Sequence, residues 1–157
     1  PAVDPLLSWS RYSEQLSSWF EQELYPEWTE NVKSMLELLK RGEDIYQMIQ
    51  VAGEEGITLE DYVVYQQALF LDMVYLQQDA FDEVDVSVPI DRQKENFGRI
   101  YQLVNAQYHF DDQEQVRSFF IKLTGLFKNL NYAAYNTNEY HELVAKIESL
   151  LASNREK

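Results

Sequence analysis

Carboxylates are the side chains of this sequence with the greatest capacity for chemistry, and one stretch is crowded with them. Residues 42–91 contain twelve Asp and Glu and no Lys or Arg. The twelve are Glu43, Asp44, Glu54, Glu55, Glu60, Asp61, Asp72, Asp79, Asp82, Glu83, Asp85 and Asp91. Carboxylates at suitable spacing bind metal ions inside helical bundles, and carboxylates without cationic neighbours attract basic partners. Their spacing decides which of these applies.

The spacing does not indicate a catalytic or metal site. The pair Glu-x-x-His of di-iron bundles does not occur, and the two histidines, His109 and His141, lie far apart. The glycine-rich phosphate loops GxGxxG and GxxxxGKS/T are also absent from the sequence. Ser8, Ser10 and Ser13 cluster without a base nearby, and the polarity of a helix start explains them. We therefore expect no catalytic residue and no metal ligand in this chain.

Composition narrows the class of protein further. A length of 157 residues with 45% hydrophobic content suits one domain with a real core. The net charge of −14 opposes binding to nucleic acid or anionic lipid, and no apolar run is long enough to span a bilayer. The absence of Cys excludes disulfides and thiolate zinc sites and fits a reducing compartment. The charge suits either a basic protein partner or plain solubility.

The elements that must position the acidic stretch are helices, because apolar residues recur at helical spacing along most of the chain. Gly42 either kinks or separates two of the predicted helices, and Gly53 and Gly56 bracket a tight loop. The first three apolar stripes are Leu6, Trp9, Leu16, Trp19 and Phe20; Val32, Met35, Leu36 and Leu39; and Ile45, Met48, Ile49 and Ala52.

The helix after this loop is unusually apolar. Thr58 is its predicted N-cap, with Glu60 and Asp61 favouring the positive helix end. Residues 62–65 (YVVY) could form a strand by propensity, but the uninterrupted stretch around them favours a helix. Between residues 62 and 76 the only charge is Asp72, so this helix must be covered on more than one side. Part of that cover could lie outside these 157 residues.

Three further helices complete the predicted fold. Asp91, then Asp111 or Asp112, then Asn136 with Glu139 are the expected caps. Residues 153–157 are expected to fray. The sequence predicts an all-α helical bundle of about six or seven helices, forming a single domain over residues 1–157. The expected inward residues are Phe97, Ile100, Tyr101 and Val104; Val116, Phe119, Phe120, Leu123, Phe127 and Leu130; and Tyr140, Leu143, Val144, Ile147 and Leu151.

Several segments carry a resemblance to a known family. Residues 49–53 (IQVAG), a short acidic loop, residues 57–60 (ITLE) and residues 76–81 (LQQDAF) follow one another. They resemble the segments IVQLVG, LTLEVA and FLQQNAF of the C-terminal domain of catalytic A subunits of V-type and archaeal-type rotary ATPases. Residues 1–12 (PAVDPLLSWSRY) resemble the family's FPSVNWLxSYSxY and the YPAVDPLxSxSR of the related F-type beta subunit. The order and spacing of these segments make the resemblance fairly specific, whereas beyond about residue 88 the pattern is that of a generic bundle.

The resemblance implies that nucleotide chemistry and force transmission belong to different domains of the parent subunit. In that family the phosphate loop and the catalytic glutamate, which act on ATP or ADP with Mg, belong to a nucleotide-binding domain that precedes this region. The present chain would be an excised C-terminal domain, with residues 1–8 as the linker, and would be inactive alone. It would pack on its own nucleotide-binding domain, beside non-catalytic B subunits and the central rotor stalk. It would lie on the cytoplasmic face without membrane insertion, coupling ATP hydrolysis or synthesis to H⁺ or Na⁺ transport.

The resemblance also implies two local sites. Phe81, with Gln78, matches the aromatic segment at the edge of the adenine pocket; the alternative is that Phe81 fills the core. Residues 53–61, whose loop is shorter than the family's and lacks its Pro, match the F-type loop that pushes on the rotor. The alternative is an ordinary solvated turn. We expect carboxylates of the loop to steer a basic shaft, while the loop backbone and Ile57 carry the mechanical contact. The predicted rotor contacts are Glu54, Glu55, Gly56, Ile57, Glu60 and Asp61.

Two classes of function remain open from the sequence. The first is the C-terminal bundle of a V/A-type rotary ATPase catalytic subunit. The second is a free-standing acidic helical adaptor that binds a basic partner. A phosphate loop upstream in the same reading frame would distinguish the first from the second.

Overall fold

The computed structural model describes residues 28–73 and 90–154, apart from the side chains at 28–32, 90–94, 96, 97 and 104. These residues form α1 (Trp28–Ala52), a 3₁₀ turn (Glu54–Gly56), α2 (Leu59–Leu71), α3 (Ile90–Asn105), α4 (Gln113–Tyr132) and α5 (Asn138–Asn154). No strand occurs in the described ranges, which confirms the all-α prediction. Five helices are present there rather than six or seven. The helix predicted around Trp9 to Phe20 lies outside the described residues.

One reason for the lower helix count is that α1 runs without a break through Gly42, where the sequence suggested a kink or a boundary. Gly42 is buried, and a Cβ placed there would overlap the Cβ of Ala68 in α2. Glycine in a helix interior is destabilising by about 0.5–1 kcal/mol relative to alanine. Here it permits the two helix backbones to approach closely, so the residue marks a helix contact and not a helix end.

Helix α2 is the central element of the described fold. It packs against α1, α4 and α3, and residues 62–65 are helical as predicted. The expected cover on more than one side is confirmed, and neighbouring helices of this chain provide it. Its buried residues are Tyr62, Val64, Gln67, Ala68, Phe70 and Leu71.

Aromatic rings join α2 to α4 in the core. Phe70 of α2 lies edge-on to Phe127 of α4 with ring centroids 5.2 Å apart, and it lies tilted against Phe120 of α4 at 6.2 Å. Such edge-to-face pairs contribute about 0.5–1.5 kcal/mol beyond their burial. All six residues predicted to face inward on α4 are buried, and on α5 the predicted Tyr140, Leu143 and Ile147 are buried.

Two of the predicted helix caps are confirmed. The side chain of Thr58 accepts a hydrogen bond from the Asp61 N–H at 3.1 Å. Asp112 is the N-cap of α4, accepting from the Gln115 N–H at 2.8 Å, so the choice between Asp111 and Asp112 falls on Asp112. The Gln115 side chain also accepts from the N–H of Asp111, the residue before the cap, at 2.9 Å.

The other two predicted caps are wrong. Helix α3 already begins at Ile90, which places Asp91 inside its first turn. At the start of α5 the capping oxygen belongs to Thr137, which accepts from the Tyr140 N–H at 3.3 Å. Asn136 instead has a φ of 62°, a left-handed conformation that asparagine adopts more readily than most residues. At the other end α5 continues to Asn154, two residues into the tail that was expected to fray.

The contact at Gly42 gives a prediction about stability. We expect Gly42→Ala to lower the free energy of unfolding by about 1–3 kcal/mol, the usual cost of overpacking a core, despite alanine's better helix propensity. The matched control is Gly125→Ala in α4, where a Cβ would meet nothing within 4 Å. That variant should gain up to about 1 kcal/mol. Denaturant unfolding of both variants measures the difference, and equal stability would contradict the close helix contact.

Candidate functional site

The acidic loop predicted to be functional joins α1 to α2 by a sharp reversal of the chain. Gly53 has φ 79° and ψ 165°, a backbone conformation essentially restricted to glycine. Its N–H donates to the Ile49 carbonyl at 2.8 Å, and the Gly56 N–H donates to the Gly53 carbonyl at 3.1 Å. Ile57 is then extended and leads into the Thr58 cap. The reversal is therefore built from a glycine requirement and local hydrogen bonds.

The predicted contact residues of this loop separate into two groups. Glu55, Gly56 and Glu60 are exposed, whereas Glu54 and Asp61 are half-buried. Ile57 is only 8% exposed and belongs to the core of the domain. The loop thus presents two of its carboxylates to solvent, and it holds the isoleucine that was expected to meet a partner inside the bundle.

Glu54 is paired with a cation that the sequence reasoning missed. Arg117 of α4 donates from Nη2 to Glu54 Oε2 at 2.8 Å and from Nη1 to Glu114 Oε2 at 2.7 Å. The guanidinium also lies 5.8 Å from the centroid of the Tyr62 ring. The acidic stretch has no basic residue of its own, and its counter-charge comes from 63 positions further along the chain. A possible signal was Glu114-x-x-Arg117, a pair on one helix face, but nothing in it points to Glu54.

These contacts alter the titration of neighbouring groups. Arg117 has a pKa raised above its ordinary value, first by Tyr62 and then by Glu54. Burial raises the pKa of the Tyr65 hydroxyl, and the nearby Glu54 carboxylate adds to the effect. Both groups therefore keep their usual protonation states at neutral pH, so Arg117 meets Glu54 as a cation.

Apolar side chains are exposed beside this loop. Val51 is 90% exposed and Met48 is 48% exposed, although Met48 and Ala52 were predicted to face inward. The prediction for those two residues is wrong because the buried stripe of α1 continues only to Ile45 and, partly, Ile49. We use the term loop surface for seven of the exposed residues at this end of the α1–α2 hairpin: Met48, Val51, Ala52, Gly53, Glu55, Gly56 and Glu60.

A second cluster of ionisable groups lies between α3 and α5. The Tyr135 hydroxyl donates to Glu95 Oε1 at 3.0 Å, and the Tyr140 hydroxyl donates to Glu95 Oε2 at 3.1 Å. Burial raises the pKa of Tyr140, while Arg99 opposes that effect. Both carboxylate oxygens are occupied by hydroxyl donors, so this cluster ties the start of α5 to α3.

Other kinds of site were sought in the same residues. In the described ranges no group of three or more His, Asp or Glu side chains is arranged to hold a metal ion. None of the described helices is long and apolar enough to cross a membrane. Phe81 and Gln78, the predicted adenine-edge residues, lie outside the described residues.

Comparison with known families decides the class of protein. A family model described as the C-terminal domain of V and A type ATP synthase matches residues 17–117. The chain belongs to this family. The match includes α1, the loop surface and α2, and it ends at Arg117.

Curated relatives extend the similarity over the rest of the chain. The V-type ATP synthase alpha chain of Protochlamydia amoebophila is 36% identical over 157 residues, which is 100% of this chain and 26% of the relative. The alpha chain of Chlamydia pneumoniae is 39% identical over 151 residues, covering 96% of this chain and 25% of the relative. That of Chlamydia trachomatis serovar D is 37% identical over 153 residues, with 98% and 26% covered. The chain thus spans about a quarter of the length of these relatives, and nothing in the comparisons supports the free-standing adaptor.

The burial of Ile57 gives a second prediction. We expect Ile57→Ala to lower the free energy of unfolding by about 2–5 kcal/mol, because it removes core packing and leaves a cavity. Val51→Ala, three residues before the 3₁₀ turn and exposed, should change stability by no more than about 0.5 kcal/mol. Thermal or denaturant unfolding of the two variants checks this. If Ile57→Ala left the free energy of unfolding unchanged, Ile57 would instead belong to the exposed contact residues.

Proposed function

We propose that this chain is the C-terminal bundle of the catalytic alpha subunit of a V/A-type rotary ATPase. In this proposal it couples ATP hydrolysis or synthesis to rotation of the central stalk, and thereby to transport of protons or sodium ions. The observation that carries the proposal is the loop surface, an acidic turn at the end of a helical hairpin in a member of this family. ATP or ADP with Mg would bind in the nucleotide-binding domain of the larger subunit. The chain alone, which has no phosphate loop, would be inactive.

The charge of the loop surface supports a basic partner such as the Lys and Arg side chains of a coiled-coil shaft. Glu55 and Glu60 are exposed, and no Lys or Arg occurs between residues 42 and 91 to compensate them. Exposed ion pairs each contribute only about 0–1 kcal/mol and weaken with salt. Their use is therefore to steer the partner and set its register, and not to supply most of the affinity.

The apolar part of the loop surface supports the mechanical contact. Val51 and Met48 are exposed beside the exposed carboxylates, while Ile57 is buried. Burial of exposed apolar area against a partner is favourable by about 25 cal/mol per Å². We therefore assign to Val51 and Met48 the contact that the sequence suggested for Ile57, and we leave Ile57 as the core residue that holds the loop in place.

The remaining contacts of the proposal are with the nucleotide and the neighbouring subunits. Phe81, with Gln78, would lie at the edge of the adenine base, where a flat aromatic ring can stack. The acidic residues that surround Phe81 in the sequence, Asp79, Asp82 and Glu83, are unsuited to bind phosphates. The bundle would lie against its own nucleotide-binding domain and the non-catalytic B subunits, on the cytoplasmic side of the membrane.

The electrostatic part of the proposal is tested by paired neutralisation in the assembled complex. We expect Glu55→Gln/Glu60→Gln to weaken rotor binding by up to about tenfold at low ionic strength, and by less at high ionic strength. The matched control is Glu142→Gln/Glu148→Gln, two exposed carboxylates of α5 with the same total charge change. Rotor affinity and the number of ions moved per ATP are measured for both. Equal effects of the two pairs, or no effect of the first at low salt, would contradict the assignment.

The adenine contact gives a separate prediction. Phe81→Ala in the full subunit should weaken nucleotide binding by about 1–3 kcal/mol, the range for stacking of a base on an aromatic ring. Phe81→Tyr keeps the ring and should retain most of the affinity. Nucleotide titration of the full subunit measures this, with thermal unfolding in parallel. If Phe81→Ala left affinity unchanged and destabilised the bundle as a core truncation does, Phe81 would be a core residue.

A further inference from the structure

The first turns of α4 hold the acidic loop at two points. Gln113 Nε2 donates to the backbone carbonyl of Glu54 at 2.9 Å. One turn later Arg117 Nη2 donates to the side chain of the same Glu54 at 2.8 Å. Both the main chain and the carboxylate of residue 54 are therefore bound by α4, although 59 and 63 positions separate the partners in the sequence.

Arg117 is itself fixed in orientation. Its Nη1 donates to Glu114 Oε2 at 2.7 Å, while the Tyr62 ring lies 5.8 Å from the guanidinium carbon. A guanidinium is planar and presents its donors in a rigid fork, so one group can hold two carboxylates at a defined angle. A lysine ammonium lacks that fork. The Glu114–Arg117–Glu54 arrangement thus transmits the position of α4 to the 3₁₀ turn.

The side chains of Arg117 and Glu54 are 39% and 42% exposed. An ion pair with that much solvent access contributes little to the stability of a domain. The buried core of α2 and α4 already supplies that stability through residues such as Phe70 and Phe127. The pair is therefore better suited to set the orientation of a loop than to hold the fold together.

We propose that Arg117 is a positioning residue that fixes the loop surface to α4, so that the loop, α2 and α4 move as one rigid body. This inference rests on the proposed function, because it describes how movement of the bundle reaches the rotor contact. It also divides the loop carboxylates between two tasks. Glu54 is the internal anchor, while Glu55 and Glu60 face outward toward the partner.

The test is Arg117→Gln in the assembled complex, with Lys122→Gln as the control. Lys122 is exposed on the same helix, and its substitution removes the same charge. We expect Arg117→Gln to speed hydrogen exchange several-fold at the Gly56 and Ile57 amides, which close the 3₁₀ turn. The number of ions moved per ATP should fall, while the KM for ATP and the melting temperature remain within the range of the control. Arg117→Lys should restore part of the coupling because it keeps the charge without the fork.

A double-mutant cycle with Glu54→Gln identifies the partner. If Arg117 acts through Glu54, the double variant should lose no more coupling than either single variant. Unchanged hydrogen exchange at the loop amides of Arg117→Gln would overturn the proposal. It would also be overturned if the double variant lost coupling by the sum of the two single-variant losses. Failure of the proposed function would be detected by a different experiment, in which the Glu55→Gln/Glu60→Gln variant keeps its rotor affinity unchanged. In that case the hydrogen-exchange measurement on Arg117→Gln would still show whether Arg117 holds the loop against α4.

Discussion

The close contact of α1 with α2 at Gly42 and Ala68 sets the geometry on which the loop surface depends. Since a Cβ at Gly42 would overlap that of Ala68, the two helices pack there with no room for a side chain at residue 42. Two packed helices joined by so short a segment form a stiff hairpin, and the turn at its end has a fixed place. The sharp φ of Gly53 and the Thr58 cap then complete the reversal.

The same packing explains how a distant cation reaches the acidic loop. With α1 on one part of its surface, α2 still has apolar side chains to bury, and the aromatic residues of α4 cover them. This places Gln113 and Arg117, at the start of α4, beside residue 54. The hydrophobic effect thus fixes the helices, and a weak, partly exposed ion pair then selects the orientation of the loop. The large free energy of hydrophobic burial is enough to fix the helices, whereas the small free energy of the exposed ion pair is enough only to orient the loop.

Properties set by local sequence could be predicted, and those set by distant contacts could not. The stripe on α4 and the caps at Thr58 and Asp112 follow from helical periodicity and from hydrogen bonds three residues away. The continuity of α1 at Gly42 depended on Ala68, and no local rule contains that contact. The partner of Glu54 was equally inaccessible, because many cations of the chain could have met it.

The wrong predictions for Ile57 and Met48, near the candidate site, also arose because distant contacts decide which residues are buried. Ile57 and Met48 are both apolar and both flank the loop, so periodicity gives no reason to bury one and expose the other. The structure distinguishes them because Ile57 follows the glycine reversal and turns back into the core, whereas Met48 lies past the end of the buried stripe of α1. Composition alone identified the loop as acidic and exposed, but the role of each residue needed the fold.

The anchoring of the loop bears on what kind of contact it can make. Ile57 is held in the core on one side and Glu54 is bound to α4 on the other, so only Glu55 and Gly56 between them are exposed. A flexible acidic tail would lose conformational entropy on binding and would yield under load. A two-residue tip fixed at both ends loses little conformational entropy on binding. A force on that tip is carried directly to α2 and α4. The arrangement therefore favours transmission of movement over adaptable binding, which is the property that the proposed contact with a rotor stalk would require.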